Sequence, residues 1–123
     1  MISRVSLVDD ELLLRDSYSR LLKAHDYEVE VFEDAESFLE ARAFDRADCL
    51  VVDFRLPGIS GVELLRTVRA QDCMTPAILL SGDLDEGVLG DLRDIAYLRL
   101  LEKPCHPQEF FEVIKNSLGT SDS

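Results

Sequence analysis

Two short, uninterrupted apolar runs constrain the fold of this chain more than any other feature. The run CLVVDF covers residues 49–54, and AILLSG covers residues 77–82. Apolar runs of this kind are typical of strands buried on both faces of a parallel sheet. Between them, Ser60 and Glu63 form an S-x-x-E capping box that opens a segment with leucines at helical spacing. The pattern therefore predicts a strand–helix–strand unit at the centre of an α/β domain.

The same alternation extends over the rest of the chain. Further strands are predicted at RVSLV (4–8), YEVEVF (27–32) and LRLLE (98–102), each separated from the next strand by a helical segment. The helix prediction is weakest in 84–96, because the two glycines there each cost a helix about 1 kcal/mol relative to alanine. Five strands alternating with five helices predict one doubly wound parallel sheet covered on both faces.

Length and charge limit the function classes. The 123 residues suit one domain, which we assign to 1–118, with 119–123 as a tail or the start of a linker. No apolar run approaches the roughly 20 residues needed to span a bilayer, and no basic-then-apolar leader opens the chain, so a cytoplasmic protein is expected. The net charge of -12 argues against direct nucleic-acid binding by this segment.

Polar side chains stand at the carboxyl ends of four predicted strands. Asp9 and Asp10 follow the first strand, Asp53 ends the third, Ser81 ends the fourth, and Lys103 follows the fifth. These ends meet at one edge of a parallel sheet, where such folds bind their ligands. Clustered carboxylates suit Mg²⁺, and a carboxylate can also be the nucleophile that accepts a phosphoryl group. Lysine and serine can then hold the phosphoryl oxygens.

Four motifs in order resemble those of the response-regulator receiver domain of two-component signalling. They are LVDDE, VVDFRLPGISG, LLSGD and LEKP, and the resemblance covers nearly the whole chain. The intervals of 28 residues from Asp53 to Ser81 and 22 residues from Ser81 to Lys103 are usual for that family. The resemblance implies a flavodoxin-like sheet, similar to the chemotaxis regulators, with strand order 2-1-3-4-5.

The resemblance also implies a metal site and a phosphoacceptor. Asp53 matches the residue that accepts the phosphoryl group. Asp10 matches the direct Mg²⁺ ligand, Asp9 matches the acid that acts through a metal-bound water, and the backbone carbonyl of Arg55 matches a further ligand. The implied cofactor is Mg²⁺, for which Mn²⁺ could substitute. The Arg55 side chain is expected to point to solvent, with a role in shaping the phosphoryl pocket as the alternative.

Further positions match residues around the phosphoryl group. Ser81 matches the hydroxyl residue that turns toward the phosphoryl group, and Lys103 matches the lysine that pairs with it. The following Pro104 matches a proline whose peptide bond with the lysine is typically cis. Gly82 matches a position kept small so that a phosphodonor can approach.

Three positions depart from the family pattern. Leu100 stands where a tyrosine or phenylalanine usually serves as a rotameric switch, and Ala96 and Tyr97 stand where Gly-Ala is common. The phosphoryl chemistry is unaffected by these changes. The route by which phosphorylation would reach an output surface is left open.

The function implied is a signalling receiver, not a metabolic enzyme. It would take a phosphoryl group from a sensor histidine kinase or a histidine phosphotransfer protein, and would lose it by slow self-dephosphorylation. It would act on an unknown effector domain or protein, with a phosphorylation-dependent homodimer as a further partner arrangement. The alternative is a receiver-like interaction module that is not phosphorylated, against which the intact acid–Ser–Lys set argues. An aspartyl phosphatase would need a second aspartate where Arg55 stands.

Overall fold

A single parallel sheet organises the protein. The computed structural model describes residues 2–82, residue 90 and residues 92–118. Its five strands lie in the order β2-β1-β3-β4-β5, which confirms the predicted fold class and strand order. The strands are β1 (Arg4–Val8), β2 (Glu28–Phe32), β3 (Cys49–Asp53), β4 (Ala77–Ser81) and β5 (Leu98–Glu102).

Four α-helices are found among the described residues. They are α1 (Leu12–Ala24), α2 (Ala35–Glu40), α3 (Gly61–Ala70) and α4 (Pro107–Ser117), with a 3₁₀ turn at Ala43–Asp45. The fifth helix, predicted within 84–96, falls mostly on positions outside the described residues, as does the predicted tail 119–123. In the described part of the chain, no helix combines the length and the apolar character that crossing a bilayer requires.

Local side-chain bonds explain where the helices begin. Ser60 accepts a hydrogen bond from the backbone of Glu63, and the Glu63 side chain accepts one from the backbone of Ser60, which completes the predicted capping box of α3. Asp34 caps α2 in a similar way, by accepting from the Ser37 N–H at 2.8 Å. Pro107 occupies the first turn of α4, where its missing N–H costs nothing.

The core lies on both faces of the sheet. Every residue of β3 and β4 is buried. Phe38 and Leu64 pack from α2 and α3 on one face, and Leu22 and Phe110 pack from α1 and α4 on the other. Each such side chain contributes about 1.5–3 kcal/mol of burial free energy. The carboxyl ends of the central strands are therefore held rigidly relative to one another.

Candidate functional site

Strand register brings three aspartates together at the carboxyl edge of the sheet. Val8 of β1 is the register partner of Val52 of β3, so the residues that follow, Asp9 and Asp53, lie side by side. One carboxylate oxygen from each of Asp9, Asp10 and Asp53 lies within 4.8 Å of the others. Asp9 and Asp53 are buried, whereas Asp10 is exposed. The structure thus brings the predicted acid cluster into one place.

Asp9 carries the strongest sign that a cation belongs here. Its side chain is fully buried, and its Oδ1 accepts a hydrogen bond from the Glu11 N–H at 2.9 Å. Its Oδ2 has no hydrogen-bond partner within the described part of the chain. Burial, assisted by the charge of Asp53, raises the pKa of Asp9 to about 6. A buried carboxylate oxygen that accepts no hydrogen bond from this part of the chain, beside two further carboxylates, fits a hard divalent cation such as Mg²⁺.

Lys103 places its ammonium among the acids. Its Nζ lies 2.9 Å from Glu11 Oε1, 3.3 Å from Asp53 Oδ1 and 3.8 Å from Asp9 Oδ2. Burial acts to lower the pKa of Lys103, but the hydrogen bond to Glu11 and the charges of Asp9 and Asp53 outweigh it, so the net shift is upward. Burial also raises the pKa of Asp53, against the opposing effects of Lys103 and the Arg55 N–H. The ammonium is therefore held in its charged form.

Backbone geometry fixes the position of Lys103. The Lys103 N–H donates to the Ser81 carbonyl at 2.7 Å, which ties the end of β5 to the end of β4. The peptide bond between Lys103 and Pro104 is cis. Ser81 itself is almost fully buried at the end of β4. Ser81 and Lys103 thus lie together at the carboxyl ends of neighbouring strands.

A cleft of about 370 Å³ opens above the acids. A Cβ built at Gly82 would have no heavy atom within 4 Å, so this residue borders open space. Arg55 is exposed at the rim of the cleft. The residues that line the cleft are Asp10, Glu11, Asp53, Phe54, Arg55, Ser81, Gly82 and Lys103. The cleft is large enough for a phosphoryl group to approach Asp53.

Two residues at the site were not singled out by the sequence patterns. Glu11 makes the shortest contact to Lys103, although it is 92 positions away in the chain. Gly61 packs so closely against β3 that a Cβ there would lie 2.2 Å from the Asp53 carbonyl oxygen. Both residues occur inside the quoted motifs, LVDDE and VVDFRLPGISG, but only the folded chain shows what they contact.

The departures from the family pattern lie away from the acids. Leu100 is half-buried in β5 and packs with the core cluster on the α2–α3 face of the sheet. Tyr97 has a φ of 54° and is 66% exposed. The Arg69 guanidinium donates to the Ala96 carbonyl at 2.9 and 3.0 Å and to the Cys73 carbonyl at 2.9 Å. This clamp ties the turn before β5 to the end of α3.

Comparison with known proteins identifies the class. Residues 5–115 match the family described as the response regulator receiver domain. The chain is 30% identical over 118 residues to the transcriptional regulatory protein FixJ of Bradyrhizobium diazoefficiens, covering 96% of this chain and 58% of FixJ. It is 30% identical over 117 residues to the transcriptional regulatory protein TdiR of Thauera aromatica, covering 95% of this chain and 52% of TdiR. The chain belongs to the response regulator receiver domain family of two-component systems, as the motifs predict.

A solved structure supports the fold. The CheY-like receiver domain protein of Methanospirillum hungatei JF-1 superposes with a TM-score of 0.89 at 24% identity, covering 99% of this chain and 98% of that one. This likeness bears on the fold alone. The chain spans a little over half the length of FixJ and TdiR, so the activities of those whole regulators do not transfer to it directly.

Proposed function

We propose that this chain is a phosphorylation-dependent signalling receiver that accepts a phosphoryl group on Asp53. The observation that carries the proposal is the setting of the Asp53 carboxylate. It faces the cleft, 3.3 Å from the Lys103 ammonium and beside the carboxylates of Asp9 and Asp10. The donor is the phosphohistidine of a sensor histidine kinase or a histidine phosphotransfer protein, and membership of the receiver family supports that choice.

The transfer needs few protein groups. An Asp53 carboxylate oxygen forms a bond to phosphorus, and the bond from phosphorus to the donor's imidazole nitrogen breaks, so the electron pair leaves with the imidazole. The Lys103 ammonium and the Ser81 hydroxyl donate to the phosphoryl oxygens. Slow self-dephosphorylation is the attack of water on the same phosphorus, which returns the Asp53 carboxylate and inorganic phosphate.

The acid cluster is the site we assign to Mg²⁺. Asp9, Asp10, Asp53 and the Arg55 backbone carbonyl would hold the ion, and Mn²⁺ could substitute because it accepts the same oxygen ligands. When bound, the ion supplies positive charge that offsets the charge on the phosphoryl oxygens. The buried Oδ2 of Asp9, which accepts no hydrogen bond from the described residues, supports this assignment.

The output partner is a further part of the proposal. FixJ and TdiR are transcriptional regulators, and this chain covers 58% of FixJ and 52% of TdiR. We propose that the phosphorylated domain acts on an effector domain or a separate effector protein, with a phosphorylation-dependent homodimer as a further arrangement to test by light scattering. The net charge of -12 argues against direct contact of this domain with nucleic acid.

Intact-mass measurement tests the phosphoacceptor. With acetyl phosphate and Mg²⁺, the wild type should gain one phosphoryl group and Asp53→Asn should gain none. Asp72→Asn is the matched control, since Asp72 is exposed and has a φ of 60°, a conformation that asparagine tolerates. Equal labelling of wild type and Asp53→Asn would show that another residue is the acceptor. No labelling of the wild type would favour the unphosphorylated interaction module instead.

A further inference from the structure

The Glu11 carboxylate lies closer to the Lys103 ammonium than the carboxylate of either buried aspartate does. Its Oε1 accepts a hydrogen bond from Nζ at 2.9 Å, whereas the oxygens of Asp53 and Asp9 lie at 3.3 and 3.8 Å. The Glu11 side chain is 60% exposed, and the Lys103 side chain is 14% exposed. The ammonium is thus shared between two acids on rigid strands and one acid at the rim of the cleft.

We propose that Glu11 is a positioning residue that holds the Lys103 ammonium in the unphosphorylated protein and gives it up to the phosphoryl group. This inference rests on the proposed function of Asp53. A phosphoryl group adds about two negative charges and three strong acceptor oxygens to the cleft that Glu11 and Lys103 both line. The Glu11 carboxylate then competes with that group for one ammonium and is repelled by its charge.

Exposure decides which acid is displaced. Asp9 and Asp53 are buried at or beside the ends of strands held by the core. Glu11 precedes the first residue of α1, and its side chain projects largely into solvent. Its carboxylate can move into solvent by a rotamer change, whereas the buried carboxylates of Asp9 and Asp53 have little room to move. The contact between Glu11 and Lys103 therefore stabilises the unphosphorylated state and opposes phosphoryl binding.

The size of the effect follows from the exposure of the pair. A partly exposed ion pair shifts an equilibrium by about two- to fivefold. Glu11→Gln should therefore bind beryllofluoride, a phosphoryl mimic, about two- to fivefold more tightly than the wild type in the presence of Mg²⁺. Amide chemical shifts in an NMR titration report the affinity without requiring phosphoryl transfer.

Two comparisons distinguish the effect of the Glu11–Lys103 contact from the effect of removing any negative charge near the cleft. Glu102→Gln removes the same charge from the exposed residue next to Lys103 in the chain, and it should tighten binding less than Glu11→Gln. In a Lys103→Gln background, the gain from Glu11→Gln should shrink to the size of that control. Weaker binding by Glu11→Gln, or an equal gain with and without Lys103, would overturn the proposal.

A second measurement needs no phosphoryl mimic. The urea unfolding equilibrium of Glu11→Gln, Lys103→Gln and the double variant, without divalent cations, should show a coupling of about two- to fivefold between the two positions. Absence of coupling would show that Glu11 does not hold Lys103. If coupling is present but the wild type binds no beryllofluoride, the proposed function and the displacement both fail, and only the holding contact stands.

Discussion

Neutralising Asp9 should stabilise the protein when no divalent cation is present. The substitution Asp9→Asn keeps the shape of the side chain and an oxygen that can accept from the Glu11 N–H. It removes a charge that is fully buried, with a pKa raised from 3.8 to about 6, first by burial and then by the charge of Asp53. Each pKa unit corresponds to about 1.36 kcal/mol, so the ionised side chain costs the folded state about 3 kcal/mol near neutral pH.

The sign of the pH dependence follows from the two pKa values. The pKa of Asp9 is near 3.8 in the unfolded chain and about 6 in the folded protein, so the folded state holds the proton more tightly. The stability that this proton contributes is complete below about pH 4 and is lost as the pH rises through about 6. The advantage of Asp9→Asn should therefore grow from about 1 kcal/mol near pH 4.5 to about 3 kcal/mol near pH 7.5.

Urea unfolding followed by far-UV circular dichroism in EDTA measures this difference. Mg²⁺ should then stabilise the wild type, by about 2.7 kcal/mol at 100 times its Kd, and should leave the variant nearly unchanged. Asp72→Asn makes the same change at an exposed position and should show a difference that is small at every pH. The reasoning would be refuted by an Asp9→Asn variant that is less stable than the wild type near neutral pH, or by a stability difference between the two proteins that does not change with pH.

Three further outcomes are expected. Gly61→Ala should lower the free energy of unfolding by about 2 kcal/mol or more, because its Cβ would lie 2.2 Å from a β3 carbonyl oxygen. Gly82→Ala faces open space and should change stability little, and denaturant unfolding compares the two variants. Tyr97→Gly should be at least as stable as the wild type, since a left-handed φ of 54° costs a bulky residue about 1–2 kcal/mol, and a lower melting temperature would contradict this. Beryllofluoride should change hydrogen exchange in 82–97 more than at Leu100, because we expect phosphorylation to reach the output surface through the segment after β4. Identical exchange of 82–97 in both states would exclude that route.

The fold was predictable because the local pattern of apolar residues indicates which strands are buried. The runs at 49–54 and 77–82 carry no polar residue before the strand end, and β3 and β4 are buried throughout. Strand boundaries were harder to predict where the backbone makes hydrogen bonds other than those between paired strands. Tyr27 was predicted to begin β2, but its N–H donates to the Leu22 carbonyl at the end of α1, so the strand begins one residue later.

The contacts of the site were predictable only in part. Convergence of the acids follows from parallel strands, because their carboxyl ends share one edge of the sheet. No local pattern shows that Glu11 turns back toward Lys103, since that contact depends on the path of the loop after β1 and on the position of β5. The steric need for Gly61 is likewise tertiary, because its sequence context also fits an ordinary turn glycine.

The difference in exposure among the acids links ligand binding to stability. The Asp9 oxygen that lacks a hydrogen bond among the described residues and the carboxylate of Asp53 are buried at the carboxyl edge of the sheet, where they have little room to move apart. Their repulsion can be relieved by a proton, by a cation or by local unfolding of the edge. Glu11 is the acid of this group whose contact with Lys103 can change at little structural cost. A charge that enters the cleft must therefore alter either the stability of the carboxyl edge of the sheet or the acid with which the Lys103 ammonium is paired. Both changes are measurable.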